Sequence, residues 1–390
     1  MTPERLTDPT LALADRRPTW AEIDLGNLVH NFSVMRGAIG PGVAIMAAVK
    51  ADAYGHGARM CAVALERAGA DWFGVALPEE GVALRQAGVT RPILCLGGFW
   101  QGQEARIIDF GLTPTVFRLD LLERLDAAAR ERGQSVAYHL KVDTGMGRLG
   151  VPFSELEGFL DKAKEFEHAS LDGVMTHFAA ADDPDQTEFT KQQMALFARA
   201  VERVGERGFT PRFIHQANSA AAHAHPSARG NLVRLGGVIY GVWRDATNPA
   251  VEPLDWRPAL ALRTRVGLLK NVPEGTPLGY GRTFVTSRPS LIATIPIGYE
   301  DGLSRALSNR GRVIVGGRFA PIVGRISMDL TIVDVTDVEG VETGDLVTII
   351  GNQDGLEITA EDVAAELGTI SYEVTCRVSD RVPRVYLEPS

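Results

Sequence analysis

From residue 42 onward, short apolar runs alternate with longer amphipathic stretches. The runs are GVAIMAAV, WFGVAL, PILCLGG, LTPTVF, SVAYHLKVD, LDGVMTHF, RFIHQAN and LVRLGGVIY. Between them lie helical patterns such as ARMCAVALERAG, LDLLERLDAAARERG, FSELEGFLDKAKEF and QTEFTKQQMALFARAVERVG. Near-continuous apolar strands separated by helices predict a parallel sheet covered on both faces. Eight such units predict a closed (β/α)8 barrel.

After Gly241 the period changes. RTRVGLLKNV, LIATIPIGY, RVIVGGRFAPIVGRISM, LTIVDV, DLVTIIGN and TISYEVTCRV are β-rich and punctuated by glycine. One helical piece, TAEDVAAELG, interrupts them, with Thr359 as its expected N-cap and Asp362 three residues on. The predicted fold class is α/β: an N-terminal (β/α)8 barrel over residues 17–256, followed by a mostly β domain over residues 257–390. WAEIDL, residues 20–25, precedes the barrel and is expected to pair with the β domain. Residues 1–16 read as a loose polar tail.

Bulk properties narrow the function. The length of 390 residues suits two domains or a large barrel with an extension. A net charge of -9 argues against a general nucleic-acid binder, which carries a basic surface. The three cysteines, Cys61, Cys95 and Cys376, have no CxxC spacing, so neither a disulfide framework nor a zinc site is expected. Their sparseness fits a reducing cytosol, and a cytoplasmic location is expected. No apolar stretch is long enough to span a bilayer or to form a signal-peptide core, so no membrane partner is expected.

In a barrel, functional residues gather at the C-terminal ends of the strands. Those ends carry Lys50, Asp143 through Arg148, His177, Asn218 with Ser219, and Arg234 with Gly236 and Gly237. Each has a bland reading. Lys50 could snorkel to the rim, His177 could be a satisfied rim histidine, Ser219 only a helix N-cap, Arg234 an ion-pair partner, and the glycines a turn. Lys50 could equally be a desolvated amine, a base or Schiff-base nucleophile. Five such ends in one barrel are harder to dismiss together. Ser219 offers a hydroxyl and Gly236–Gly237 bare amides, after the seventh and eighth strands, where barrels commonly hold a phosphate. A lysine after the first strand, this cradle and a nearby arginine together suggest pyridoxal phosphate, with the lysine as Schiff base and the arginine facing the ring nitrogen. GMGRLG, residues 145–150, matches GxGxxG but does not open a helix; VPF intervenes before an expected N-cap at Ser154, so a dinucleotide site is disfavoured.

AVKADAYGHG, LKVDTGMGRLG, THFAAAD, HQANSA, VRLGGVIYG, PLGYGRTF, IPIGYEDG, GRISMD and SYEVTCR occur in this order, and together they resemble the alanine racemase family over roughly residues 18–387. The resemblance implies an eight-stranded barrel followed by a β domain, pyridoxal 5'-phosphate as cofactor, and a homodimer with shared active sites. It assigns Lys50 to the cofactor Schiff base. Tyr54, Ser219, Gly236, Gly237 and Tyr372 match phosphate-holding positions, and Arg234 matches the residue facing the pyridine nitrogen. His177 matches a histidine linking that arginine toward a catalytic tyrosine, and Tyr280 matches the tyrosine. Arg148 matches a residue near the substrate carboxylate, and Lys141 a lysine carbamylated in many members. Met328 and Asp329 match residues supplied by the partner subunit, and Tyr299 an entrance residue. Ser327 stands where some members have cysteine. Gly237 replaces a bulkier residue of some members, which predicts a looser phosphate cup.

The implied activity is interconversion of L- and D-alanine by two bases, Lys50 and Tyr280, on opposite faces. Both side chains have reference pKa values of roughly 10, so each needs help near neutrality. Two alternatives remain: a serine or broad-specificity racemase, and a decarboxylase of the same architecture. Decarboxylases of that kind place an acid where this chain has Arg234.

Overall fold

A computed structural model of the chain describes residues 15–388. The predicted tail falls mostly on residues 1–14, outside the described residues. The apolar runs form strands β1 (Thr19–Asp24), β2 (Ala44–Ala48), β3 (Trp72–Val75), β4 (Ile93–Cys95), β5 (Thr113–Val116), β6 (Val136–Asp143), β7 (Ala169–Met175), β8 (Phe213–His215) and β9 (Leu232–Leu235). Strands β2 to β8 pair in parallel in chain order, and β9 pairs in parallel with β2. Between β8 and β9 the ring is joined by backbone bonds from Arg234 to Ala217 (3.0 Å) and from Asn231 to Ile214 (3.2 Å). This is the predicted barrel. Met46, Trp72, Leu94, Met175 and Leu232 fill its interior, while Ile45, Phe73, Ile93, Leu140 and Val233 pack outward on the helices.

β1 is not a barrel strand. It lies between Leu260–Arg265, antiparallel, and Arg384–Leu387, parallel, in the main sheet of the β domain. The barrel is thus inserted in sequence between β1 and the rest of that sheet. A second sheet joins Leu268–Val272, Ser290–Ile295 and Thr331–Asp334. Thr359 caps Ala360–Leu367 in a reciprocal capping box with Asp362. No helix among the described residues is long and apolar enough to cross a membrane.

Three local expectations are corrected. TISYEVTCRV, read with the strands for its β-branched content, contains a helix at Ser371–Cys376. That helix buries Ser371, Val374 and Thr375, a helical rather than alternating pattern. LVRLGGVIY is strand only through Leu235; Gly237–Tyr240 turns as 3-10 helix. Ser154 sits inside a 3-10 turn, and the helix that follows, Leu156–Ala163, is preceded by Glu155.

Candidate active site

Strand parity decides which side chains meet, because successive residues point to opposite faces. Met46 faces the barrel interior, and Ala48 and Lys50 continue that parity into the mouth. Leu232, Arg234 and Gly236 do the same from β9, His139 and Lys141 from β6, Met175 and His177 from β7. The result is a cavity of about 620 Å³ at the C-terminal ends of the strands, within the usual range for small-molecule sites. It brings together Lys50, Tyr54, Lys141, Arg148, His177, Ser219, Arg234, Gly236, Gly237 and Tyr372.

Lys50 opens an unusual turn. Ala51, Asp52, Ala53 and Tyr54 have φ of 52°, 51°, 54° and 56°, a left-handed turn without glycine. Each such residue costs roughly 1–2 kcal/mol. The turn is held from outside. Glu80 accepts from the Ala51 amide at 2.7 Å and from the Ala76 amide at 2.6 Å, and the Asp52 carboxylate accepts from Ala58 at 2.7 Å. It delivers Tyr54 against Tyr240 (5.0 Å between ring centres) and Tyr372 (5.4 Å).

The loop after β6 folds by a similar logic. One Asp143 oxygen accepts from the Gly145 and Gly147 amides, at 2.9 and 3.1 Å, turning the chain back so that Arg148 returns to the cavity. The glycines of GMGRLG serve this reversal. No helix opens on them, so the dinucleotide reading is excluded.

Ser219 is not the cap of its helix; the Asn218 side chain accepts from Ala221 there. The Ser219 hydroxyl instead accepts from the Gly236 amide at 2.9 Å. A Cβ on Gly236 would lie 2.6 Å from the Tyr54 hydroxyl, and one on Gly237 would overlap the Tyr372 ring. The expected looser cup at Gly237 is therefore corrected: Tyr372 occupies the volume that a side chain would take. Burial pushes the Tyr54 and Tyr372 phenols well up, so both stay neutral hydroxyls.

Arg234 is almost fully buried and donates to the Thr176, Gln216 and His215 carbonyls. Burial lowers its pKa to about 10, so it stays cationic at neutral pH. Its guanidinium also meets Nδ1 of His215 at 3.0 Å and Nδ1 of His177 at 3.2 Å. Burial and Arg234 hold both histidines well below the usual range, so both are neutral. A guanidinium only donates, so both Nδ1 atoms accept and both hydrogens sit on Nε2. His215 Nε2 then donates to Nδ1 of His139 at 2.9 Å. Gly173 makes room for this chain, since a Cβ there would lie 2.7 Å from the His139 ring. Burial, then Arg148, lowers the Lys50 pKa. Lys141 is lowered to about 8 by burial, Arg234 and Arg148; Asp143 is the one carboxylate opposing them.

Tyr280, Tyr299, Met328 and Asp329 do not join the cavity of their own chain. They lie on the β domain, with Tyr280 71%, Met328 50% and Tyr299 40% exposed. Sequence reasoning missed Asp182 and Cys376, which line the cavity, and Glu80 behind Lys50. It also missed His139, although the spacing His139–Lys141 put both on one strand face.

The sequence pattern described as "Alanine racemase, N-terminal domain" matches residues 23–243, and that described as "Alanine racemase, C-terminal domain" matches residues 259–386. The chain belongs to the alanine racemase family. Membership makes it an isomerase of that family. It is 45% identical over 379 residues to a protein named Alanine racemase from Geobacter sulfurreducens, covering 96% of this chain and 99% of that one. Among solved structures, alanine racemase from Clostridium difficile 630 superposes with a TM-score of 0.89 at 36% identity, covering 95% of each chain. Alanine racemase from Bartonella henselae, solved with covalently bound pyridoxal phosphate, superposes at 0.84 and 32% identity, covering 95% of this chain and 99% of that one.

Proposed function

We propose that this chain interconverts L- and D-alanine with pyridoxal 5'-phosphate, using Lys50 and the partner subunit's Tyr280 as the two bases. The observation that carries the reading is the pairing of a desolvated lysine with a buried arginine on one barrel-interior face. The residues fit the cofactor. The Gly236–Gly237 amides, the Ser219 hydroxyl and the neutral Tyr54 and Tyr372 hydroxyls would hold a phosphate, and the glycines have no side chain to block it. Bound there, the cofactor supplies an electron sink that acidifies the Cα–H of an attached amino acid.

The chain's residues do the rest. Lys50, with its lowered pKa, takes or returns the Cα proton at Nζ on one face. Tyr280 does so at its hydroxyl on the other. His177 carries its hydrogen on Nε2 and is the group through which Arg234 bears on the tyrosine. Arg148 orients the substrate carboxylate by charge-assisted hydrogen bonds. Arg234 remains a cation at neutral pH and would face the ring nitrogen of a bound cofactor without handing it a proton, which would limit side reactions. A decarboxylase of this architecture would use an acid there, so Arg234 disfavours that alternative.

Tyr280, Met328, Asp329 and Tyr299 reach a site only in a head-to-tail homodimer. Exposed apolar residues support that arrangement: Leu77 and Trp100 follow barrel strands on the cavity side, and Tyr280, Met328 and Leu330 lie on the β domain. Lys141 is our candidate for carbamylation. A pKa of about 8 leaves a useful fraction of neutral amine to add to carbon dioxide, and the resulting anion would suit Arg148. The unpaired thiols Cys61, Cys95 and Cys376 support a reducing, cytoplasmic location.

The deciding experiment is deuterium exchange at Cα in Tyr280→Phe. Racemisation should be lost in both directions, since each needs both groups. Exchange from D-alanine through Lys50 should persist, slowed by less than the 10²–10⁴-fold or so of a lost acid–base group. L-alanine should exchange far less. Equal washout from both enantiomers would remove the two-base assignment, and an amino-acid panel would set the substrate range against serine. Borohydride should bleach the bound cofactor's absorbance and leave it on a peptide containing Lys50; an adduct elsewhere would overturn that assignment.

A further inference from the structure

The short 3-10 turn Tyr299–Asp301 ends in a carboxylate with no exposed surface. A buried charge of this kind is tolerable only when paired and hydrogen-bonded. Asp301 is paired twice. Arg17 grips both of its oxygens, with Nη1 on Oδ2 at 2.9 Å. Arg381 approaches Oδ1 at 3.5 Å through Nε. Oδ2 also accepts from the Gly298 amide at 2.9 Å, closing the turn that presents Tyr299.

The same turn is clipped to the segment carrying Met328. The Tyr299 amide donates to the Ser327 carbonyl at 3.1 Å and the Glu300 amide to the Met328 carbonyl at 3.2 Å. A Cβ on Gly298 would overlap both carbonyls, so the approach requires glycine. Arg381 then extends past Asp301 and donates to Asp329 at 2.7 Å. A cluster that only stapled the chain ends would stop at Asp301. This one reaches both segments that carry Tyr299, Met328 and Asp329, and none of its members lines the cavity of its own chain.

We infer that Arg17, Asp301 and Arg381 are positioning residues that set Tyr299, Met328 and Asp329 at the substrate entrance of the partner subunit's site. The inference rests on the shared-site reading above. Two guanidinium groups on one buried carboxylate fix geometry because each bond is directional and charge-assisted. Residues at an entrance contact the substrate on its way in and not the two bases, so their displacement raises KM with little change in kcat.

Hybrid dimers of the full-length, cofactor-loaded chain test this. A Lys50→Ala chain paired with a Tyr280→Phe chain has one complete site, with Lys50 from the second and Tyr280 from the first. Arg381→Met placed in the Lys50→Ala chain alters the β domain serving that site. KM for alanine should rise about tenfold there, with kcat within about threefold. The same substitution in the Tyr280→Phe chain should leave KM unchanged. Arg381→Lys, which keeps the charge but not the fork, should recover part of the KM. Native mass spectrometry verifies exchange and dimer content in every mixture. Equal KM shifts in both placements, or none in either, overturn the inference alone. An inactive parent hybrid despite confirmed exchange removes the shared site, and this inference with it.

Discussion

Lys141 shows what one buried cation costs. Its side chain is 4% exposed, and its pKa falls from 10.5 to about 8, first through burial and then through Arg234 and Arg148. The unfolded chain therefore binds more protons than the folded one between pH 8 and 10.5. The cost is fully present below pH 8 and disappears as pH rises toward 10.5. Lys141→Met should stabilise the cofactor-free protein at pH 7 by ~2–3 kcal/mol in carbon-dioxide-free buffer, read by urea unfolding. That gain should shrink at pH 10. If Lys141 takes up carbon dioxide, bicarbonate should stabilise the wild type at pH 8 and leave Lys141→Met unmoved. Bicarbonate acting equally on both proteins would exclude the modification.

At the scale of elements, the barrel was legible because parallel strands bury both faces and so appear as continuous apolar runs. Lys50, His177 and Arg234 were legible because they break such runs at their C-terminal ends. The left-handed Ala51–Tyr54 turn was not. Its residues carry no glycine to announce positive φ, and it is held by Glu80 from a distant helix. The helix at Ser371–Cys376 was hidden for a related reason: β-branched composition reads as strand, and only tertiary burial of Val374 and Thr375 decides otherwise. Ala51 is exposed at the rim of the cavity, so substitution there tests backbone strain without disturbing the core. Ala51→Val should destabilise the protein by ~1–2 kcal/mol, because a β-branched residue fits the left-handed region poorly. It should also release the cofactor more readily, since this turn sets both Lys50 and Tyr54. Ala51→Gly, free to adopt positive φ, should stay within about 1 kcal/mol of wild type and retain cofactor. Matching behaviour of the two variants in thermal melts and cofactor dialysis would mean that the turn stores no strain.

For the whole molecule, the barrel interior carries a consequence for pH. Tyr280, Tyr299, Met328 and Asp329 were found by motif and not by geometry, since a single chain leaves them on its surface. His56, His139 and His215, unlike His177, were found only by geometry. His139 and His56 are both fully buried, and burial lowers each from 6.5 to about 4. His177 and His215 are lowered as well, first by burial. Protonating His139 would set a cation near Arg234 and Arg212 and would remove the acceptor that His215 uses. The unfolded chain gains protons on His56 and His139 below pH 6.5 while the folded chain does not until about pH 4. The contribution of these rings to stability should therefore be level above pH 6.5 and fall as pH drops from 6.5 toward 4. Each of His56 and His139 should contribute ~2 kcal/mol of that loss by pH 5. His139→Gln keeps a hydrogen-bonding side chain but cannot titrate. It should be less stable than wild type at pH 7.5, yet lose less on acidification, with the difference between the two proteins narrowing by pH 5. Urea unfolding at pH 7.5, 6.5, 5.5 and 5.0 measures this directly. Parallel pH profiles for the two proteins would mean that His139 titrates in the fold as it does in the unfolded chain, and the neutral His139 acceptor of the Arg234–His215–His139 chain would be lost as an assignment.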